Sequence, residues 1–358
     1  MSKYDANDVF VPLHEAVNLN PPSERDKTLD LTLKHFMDEN IILETDDEML
    51  KRVEILADIR KTFREWVIYV AIDIMHLPNE EANEAGGELF ISGSHKLGVK
   101  EPGADIDTVC VAPLFCTKEH FFSSLKDLFF NNPDVENFIS IETALVPVMS
   151  FDYRGVNIDL LFARLSTNRV PPDLNILDDH ILINLDEGTE KSLNGPRVTN
   201  MLIKLIGENA YPNFLIVVRC IRLWAKKRGL YGNKLGYFGG INCNILVSFV
   251  CLLYPRASPT LLLSKFFLVY SMWKWPNPVM LNRVQPNPPN EYREVWGKDT
   301  HPHDIMPIIT PAYPAMNSSI SVNKSSLDVI TREIQRGKNV LQGIISSGGQ
   351  NWEKLFET

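Results

Sequence analysis

The sequence predicts an α+β chain: a mixed β-sheet backed by helices, followed by a mainly helical central domain. Three observations predict it. Between residues 88 and 165 the apolar residues fall in short runs bounded by turn residues, the mark of strands. Before residue 88, and again from about residue 178, they recur at helical spacing. Finally, 358 residues with 44% apolar and 23% charged side chains have globular composition and can bury a substantial core in two or three domains.

Residues 1–22 read as an irregular leader ending in Pro21-Pro22. Ser23 is a helix N-cap with acidic residues in the turn that follows, so a helix is expected from there to about Asn40. Residues 23–45 are expected to pack this helix on the central domain. Asp46-Asp47-Glu48 opens a second, longer helix to about Met75. Its stripe of Leu50, Val53, Leu56, Ile59, Phe63, Trp66, Val67 and Val70 reads as core. Strands are expected at 88–92, 106–112, 138–145, 148–151 and 156–161, with a helix at 118–129 and a hairpin turn at Asp152-Tyr153-Arg154-Gly155. Residues 46–177 thus form the sheet-bearing domain. Residues 178–358 form the helical one, with helices at 195–207, 213–228, 239–253, 260–273 and 327–346. A stretch rich in Pro between Trp275 and Thr310 is extended rather than helical.

The five cysteines have no paired or zinc-ligand spacing, and most lie in apolar runs, as expected of reduced thiols that pack as small hydrophobes. No apolar signal segment opens the chain, and the apolar runs near residues 245–254 and 261–270 are too short to cross a bilayer, so no membrane partner is expected. The net charge of −9 is unusual for a protein that handles nucleic acid, since phosphate affinity comes from Lys and Arg. The densest basic island is Lys226-Lys227-Arg228 with Arg219 and Arg222 just before it, which reads equally well as a solvated helix face.

The chemistry lies in the strand region. Phe90-Ile91-Ser92-Gly93-Ser94 precedes Gly103-Ala104-Asp105-Ile106-Asp107. On a strand, residues at i and i+2 share a face, so Asp105 and Asp107 point the same way. Neighbouring carboxylates repel unless a cation sits between them. Hard divalent ions are held by carboxylates together with substrate phosphates, and Gly lets backbone approach those phosphates. Asp159 interrupts the apolar run Val156 to Phe162, where a lone carboxylate is costly unless paired or metal-bound. An Asp-x-Asp pair alone is more often a loop or cap feature; the apolar runs around it and the third Asp favour metal-assisted chemistry on a nucleoside triphosphate.

The order Gly-Ser, Asp-x-Asp, lone Asp resembles the polymerase-beta-like nucleotidyltransferases. With Ser192-Leu193-Asn194-Gly195-Pro196-Arg197, Leu223-Trp224-Ala225-Lys226-Lys227-Arg228, Tyr231 and His303-Asp304-Ile305-Met306-Pro307, it is similar to the eukaryotic poly(A) polymerases over most of the chain. The resemblance implies a nucleotidyltransferase palm at 46–177 and template-independent transfer of AMP from ATP to an RNA 3′-hydroxyl. It implies that Asp105, Asp107 and Asp159 hold two Mg²⁺ or Mn²⁺ ions, with Asp159 also placed to accept the hydroxyl proton. It puts Ser92, Gly93 and Ser94 at the triphosphate, Tyr231 at the phosphates, Asn233, Gly240 and Ile241 around adenine and ribose, and Asn194 near the base. Without it, Tyr231 reads as a packed aromatic and Gly239-Gly240 as a helix-start turn. Arg222 stands where the family usually has Lys, and Cys243-Asn244 where it has Trp-Ala; Arg keeps a charge able to bind phosphate. The resemblance further implies RNA 3′ ends and cleavage and polyadenylation factors as partners, a monomer by itself, and a nuclear location. A C-terminal RRM-like domain is expected to be absent, and RNA binding to be correspondingly weak. A uridylyltransferase on the same fold, or a catalytically weak scaffold, is the competing reading.

Overall fold

The computed structural model describes residues 11–99, 101–288 and 292–357. The first ten residues of the expected leader and Pro289 of the Pro-rich stretch lie outside them. The chain divides into two compact units, one of residues 43–200 and one of residues 1–42 with 201–358.

Helix α1 (Glu24–Asn40) begins where the cap predicts: the Ser23 side chain accepts from the Asp26 N–H, and Asp26 answers on the Ser23 backbone. Helix α2 (Asp46–Tyr69) repeats the device with Thr45 and Glu48 and continues through a π-helical turn, Val70–Ile74. The core face of α2 differs from the expected stripe. Leu50 and Val53 are 58% and 59% exposed, and Arg52 and Ile55 are buried in their place. Leu50 and Val53 precede Leu56 at spacings of three, which falls short of the 3.6-residue turn and carries them off the face that Arg52, Ile55, Leu56 and Ile59 share.

After the short α3 (Asn79–Glu84) come β1 (Glu88–Ile91), the single turn α4 (Gly93–Lys96) and β2 (Ile106–Ala112). The helix expected at 118–129 is α5 (Lys118–His120) and α6 (Lys126–Phe130), joined by a π-helical turn, Phe121–Leu125. Strand β3 (Val135–Ile141) starts three residues before its expected place. Strands β4 (Val148–Tyr153) and β5 (Val156–Arg164) are joined by a tight turn in which Arg154 and Gly155 both have positive φ. The sheet order is β1-β2-β5-β4-β3, with β2 and β5 parallel and the other pairs antiparallel. Phe63 and Trp66 of α2 pack with Phe121, Phe129, Phe151 and Phe162 to make the core of this unit, and the Trp66 indole N–H donates to Ser124 Oγ at 2.8 Å.

This unit runs to Asn200, past the boundary expected at 177. Arg197, 1% exposed, donates to the carbonyls of Ile176 and Asp178 and pairs with Asp179, which ties the segment to the sheet domain. These residues open the helical stretch α7 (Glu187–Lys227), broken at Gly207, where φ is 72°. The gap expected at 208–212 is helical. By length and composition α7 could cross a membrane, but Leu202, Val217, Val218, Ile221 and Trp224 within it are core residues of the fold.

The other unit adds α8 (Gly240–Leu253), α9 (Pro259–Met272) and α10 (Lys324–Ser346). Helix α1 packs here: Asp30 caps the start of α9 by accepting from the Thr260 N–H at 2.8 Å, and Thr32 accepts from the Trp352 indole at 3.0 Å. Trp224 meets Phe267 edge-on at 5.1 Å. The Pro-rich stretch is extended, pinned by isolated bridges such as Val279 with Ile308. All five cysteines are buried.

Candidate active site

Parallel pairing of β2 with β5 places Asp107 opposite Asp159 in register, so the two carboxylates stand side by side on one face. Asp105 lies just before β2 rather than on it, and is exposed. It still joins the others: one carboxylate oxygen from each of Asp105, Asp107 and Asp159 lies within 4.8 Å of the rest. The Asp159 carbonyl accepts from Thr108 Oγ1 at 2.9 Å, which fixes the two strands at the level of the cluster.

The Gly-Ser turn closes over this cluster. The Ser92 N–H donates to the Asp107 carbonyl at 2.9 Å, which continues the β1–β2 pairing. The chain then turns at Gly93, whose φ is +66°. A Cβ at Gly93 would sit 2.1 Å from Asp107 Oδ2, so both conformation and contact demand glycine. The Gly93 N–H donates to Thr199 Oγ1 at 3.3 Å, and a Cβ at Gly195 would lie 3.1 Å from Ser92 Oγ. The Ser192 to Thr199 block, which includes Asn194, therefore flanks the Gly-Ser turn.

Burial, and next the charges of Asp105 and Asp159, push the Asp107 carboxyl up to about 6. A negative cluster of this kind is relieved by a hard divalent cation, and three carboxylates with room for phosphate oxygens are the donor set such ions take. The residues present fit Mg²⁺ or Mn²⁺.

The remaining expected nucleotide contacts gather within the helical unit. A Cβ at Gly240 would lie 2.9 Å from Arg222 Nη2 and 3.3 Å from Tyr231 Oη, so the start of α8, the guanidinium and the phenol form one cluster. Lys226 Nζ lies 5.2 Å over the Tyr231 ring. The Gly239 N–H donates to Asn242 Oδ1 at 2.6 Å, and Ile241 follows on the first turn. Asn233 lies beside Gly239 but is engaged elsewhere: Ser321 Oγ bonds to its carbonyl and its Oδ1. The basic island does not act together. Arg228 forms a forked pair with Glu333, Arg222 is buried, and Lys226 and Lys227 are exposed. Asn244 is the residue here that pattern reading assigns no role. It accepts from Arg222 across two helices, and nothing in the sequence marks that contact.

Sheet, Gly-Ser turn and three clustered carboxylates define a nucleotidyltransferase fold. Solved structures agree: the Cid1 poly(U) polymerase aligns with a TM-score of 0.60 at 15% identity over 93% of this chain and 98% of its own, and mtPAP in complex with UTP with a TM-score of 0.60 at 13% identity over 94% and 73%. Residues 13–206 match the poly(A) polymerase nucleotidyltransferase domain, and residues 213–358 match the poly(A) polymerase central domain. The chain belongs to the poly(A) polymerase family. It is 38% identical to a poly(A) polymerase of Dictyostelium discoideum over 96% of this chain and 42% of that one. It is 39% identical to nuclear poly(A) polymerase 4 of Arabidopsis thaliana over 95% and 46%. With poly(A) polymerase PAPalpha of Candida albicans it shares 37% over 96% and 61%. The chain thus spans about half the length of these curated relatives.

Proposed function

We propose that this protein is a template-independent poly(A) polymerase that transfers AMP from ATP to the 3′-hydroxyl of RNA. The observation that carries the reading is the three-carboxylate cluster under the Gly-Ser turn, in a chain whose two family domains cover nearly all of it. In the reaction the 3′-oxygen bonds to the α-phosphorus, the bond to the β-phosphate oxygen breaks, and pyrophosphate leaves as the hydroxyl loses its proton. Divalent ions held by Asp105, Asp107 and Asp159 would supply charge stabilisation on the attacking and leaving oxygens. Asp107 and Asp159 supply rigid oxygens because both stand on paired strands. Gly93 lets the turn close on Asp107, which brings Ser92 and Ser94 to the triphosphate. Arg222 and Tyr231 bind phosphate oxygens, Gly240, Ile241 and Asn233 line the nucleoside, and Asn194 contacts the base. Positioning and charge account for most of phosphoryl transfer, so the protein needs no covalent intermediate.

The fitting partners are an RNA 3′ end and the factors that cleave and polyadenylate messenger RNA, and the fitting location is the nucleus, since two Arabidopsis relatives are named nuclear poly(A) polymerases. Extension of a labelled oligo(A) primer with each of the four NTPs, in Mg²⁺ and in Mn²⁺, tests the reading beside an Asp105→Ala control. Extension with ATP alone, lost in the control, is expected. Equal use of UTP would make it another terminal transferase; no extension by folded protein would favour a scaffold.

A further inference from the structure

Arg52 is a charge buried on the core face of α2. It is 4% exposed, among Ile55, Leu56 and Ile59. Two groups hold it. Its Nε pairs with Glu44 Oε1 at 2.6 Å, with both side chains 5% exposed, and its Nη2 donates to the Ala104 carbonyl at 2.7 Å. Ala104 is the residue before Asp105. The segment that carries Asp105 lies outside the strand ladder. It turns at Gly103, where φ is +70°, its Ala104 N–H donates to Glu101 at 3.2 Å, and ladder bonding begins only at β2. Asp107 and Asp159 are placed by strand register, whereas Asp105 is not. A buried ion pair is weak support for stability, because apolar residues of similar volume often hold a fold as well. The pair's geometry instead places one donor on the backbone that sets the third carboxylate.

We propose that Arg52, anchored by Glu44, is a positioning residue that holds the Ala104–Asp105 peptide so that the Asp105 carboxylate meets Asp107 and Asp159 around a divalent ion. The inference rests on the reading of that triad as the metal site. The guanidinium suits the task because its fork serves a carboxylate on one side and a carbonyl on the other; an ammonium is a single point that cannot span both. The Arg52 charge also reaches the Gly93–Lys96 turn: burial, then the Arg52 and Lys96 charges, hold the His95 imidazole below its ordinary range. Arg52 thus acts through the Ala104 backbone and touches no substrate itself.

The test uses the full chain with Arg52→Lys, which keeps a charge opposite Glu44, and the apolar pair Arg52→Met with Glu44→Leu, which keeps the core filled. Folding is checked by circular dichroism. Mn²⁺ binding is followed by electron paramagnetic resonance with a non-hydrolysable ATP analogue, beside primer extension. Both variants are expected to weaken Asp105-dependent Mn²⁺ binding by about ten-fold and to lower kcat by a similar factor, with KM for ATP little changed. Mn²⁺ affinity equal to wild type in either folded variant would overturn the inference, as would wild-type Mn²⁺ binding that does not depend on Asp105. If wild type binds Mn²⁺ through Asp105 and the variants lose it, but no RNA is extended, the inference stands and the polyadenylation reading fails.

Discussion

Arg222 Nη2 donates to Asn244 Oδ1 at 3.1 Å, and both residues are 3% exposed. One lies on α7 and the other on α8, and the forked cation is held by an amide oxygen that an apolar residue could not provide. Asn244→Ala is expected to raise KM for ATP several-fold and to cost about 1–2 kcal/mol of stability, because a hydrogen bond to a buried cation is lost. Arg222→Lys in the Asn244→Ala background should recover much of the KM. Additive effects across the four proteins would show that the pair is uncoupled.

Asp107 gives a pH signature in metal-free protein. Its carboxyl is pushed from 3.8 to about 6 in the fold, so folding resists its ionisation. Below about pH 3 the group is protonated in both states and costs nothing. As pH rises from about 3 to 6 the unfolded chain ionises first, so stability falls and stays lower above 6. Asp107→Asn should therefore stabilise the metal-free protein at pH 7 by about 1–2 kcal/mol, after discounting the shift for solvent screening, and by almost nothing at about pH 3. Thermal melts across that range, with chelator, measure it. Mg²⁺ should stabilise wild type and not the variant; a variant less stable than wild type at pH 7 would rule the repulsion out.

Gly93→Ala adds one methyl group that would stand 2.1 Å from Asp107 Oδ2, at a backbone conformation alanine adopts poorly. Primer extension is expected to fall by about 100-fold or more, a loss of roughly 3 kcal/mol in the barrier, while the helical unit is untouched. Activity within about three-fold of wild type would mean the turn opens without cost.

Gly337 tests the helical unit without touching the site. A Cβ there would lie 2.3 Å from a Phe267 ring carbon, where α10 crosses α9. Gly337→Ala should destabilise by about 1–3 kcal/mol despite alanine's better helix propensity, because overpacking outweighs it. A denaturant melt decides the sign; a stabilised variant would show that the Phe267 ring moves freely.

Arg228 and Glu333 form a forked pair at 2.8 and 2.9 Å, partly shielded from water. Hydrogen bonds from Arg228 hold the Glu333 carboxyl below its ordinary range. A lowered carboxylate contributes stability above its unfolded value, and loses it as pH falls through the folded one. Glu333→Gln should cost about 1 kcal/mol at pH 7 and progressively less below pH 4. A loss that is flat from pH 7 to pH 3 would assign the effect to packing.

By itself the sequence determined the strand-and-helix plan and pointed to the three carboxylates that cluster, because Gly-Ser turn chemistry and motif order are local properties of the chain; strand alternation does not place Asp105, which lies outside β2. The capped starts of α1 and α2 were legible for the same reason. Tertiary structure decided the rest. Asp107 meets Asp159 only because β5 crosses back to pair in parallel with β2. The stripe of α2 named Leu50 and Val53 as core, whereas packing against the sheet and the Asp105 loop selected Ile55 and a buried Arg52, a charge that apolar periodicity cannot find. The sheet unit runs to Asn200 because Arg197 and Thr199 bond to segments some 20 and 106 residues away. Arg222 reads as one of a basic island until α8 brings Asn244 to it. Each of these depends on which side chains meet across long sequence separations, and burial in the folded state then sets what a charge or an amide can do.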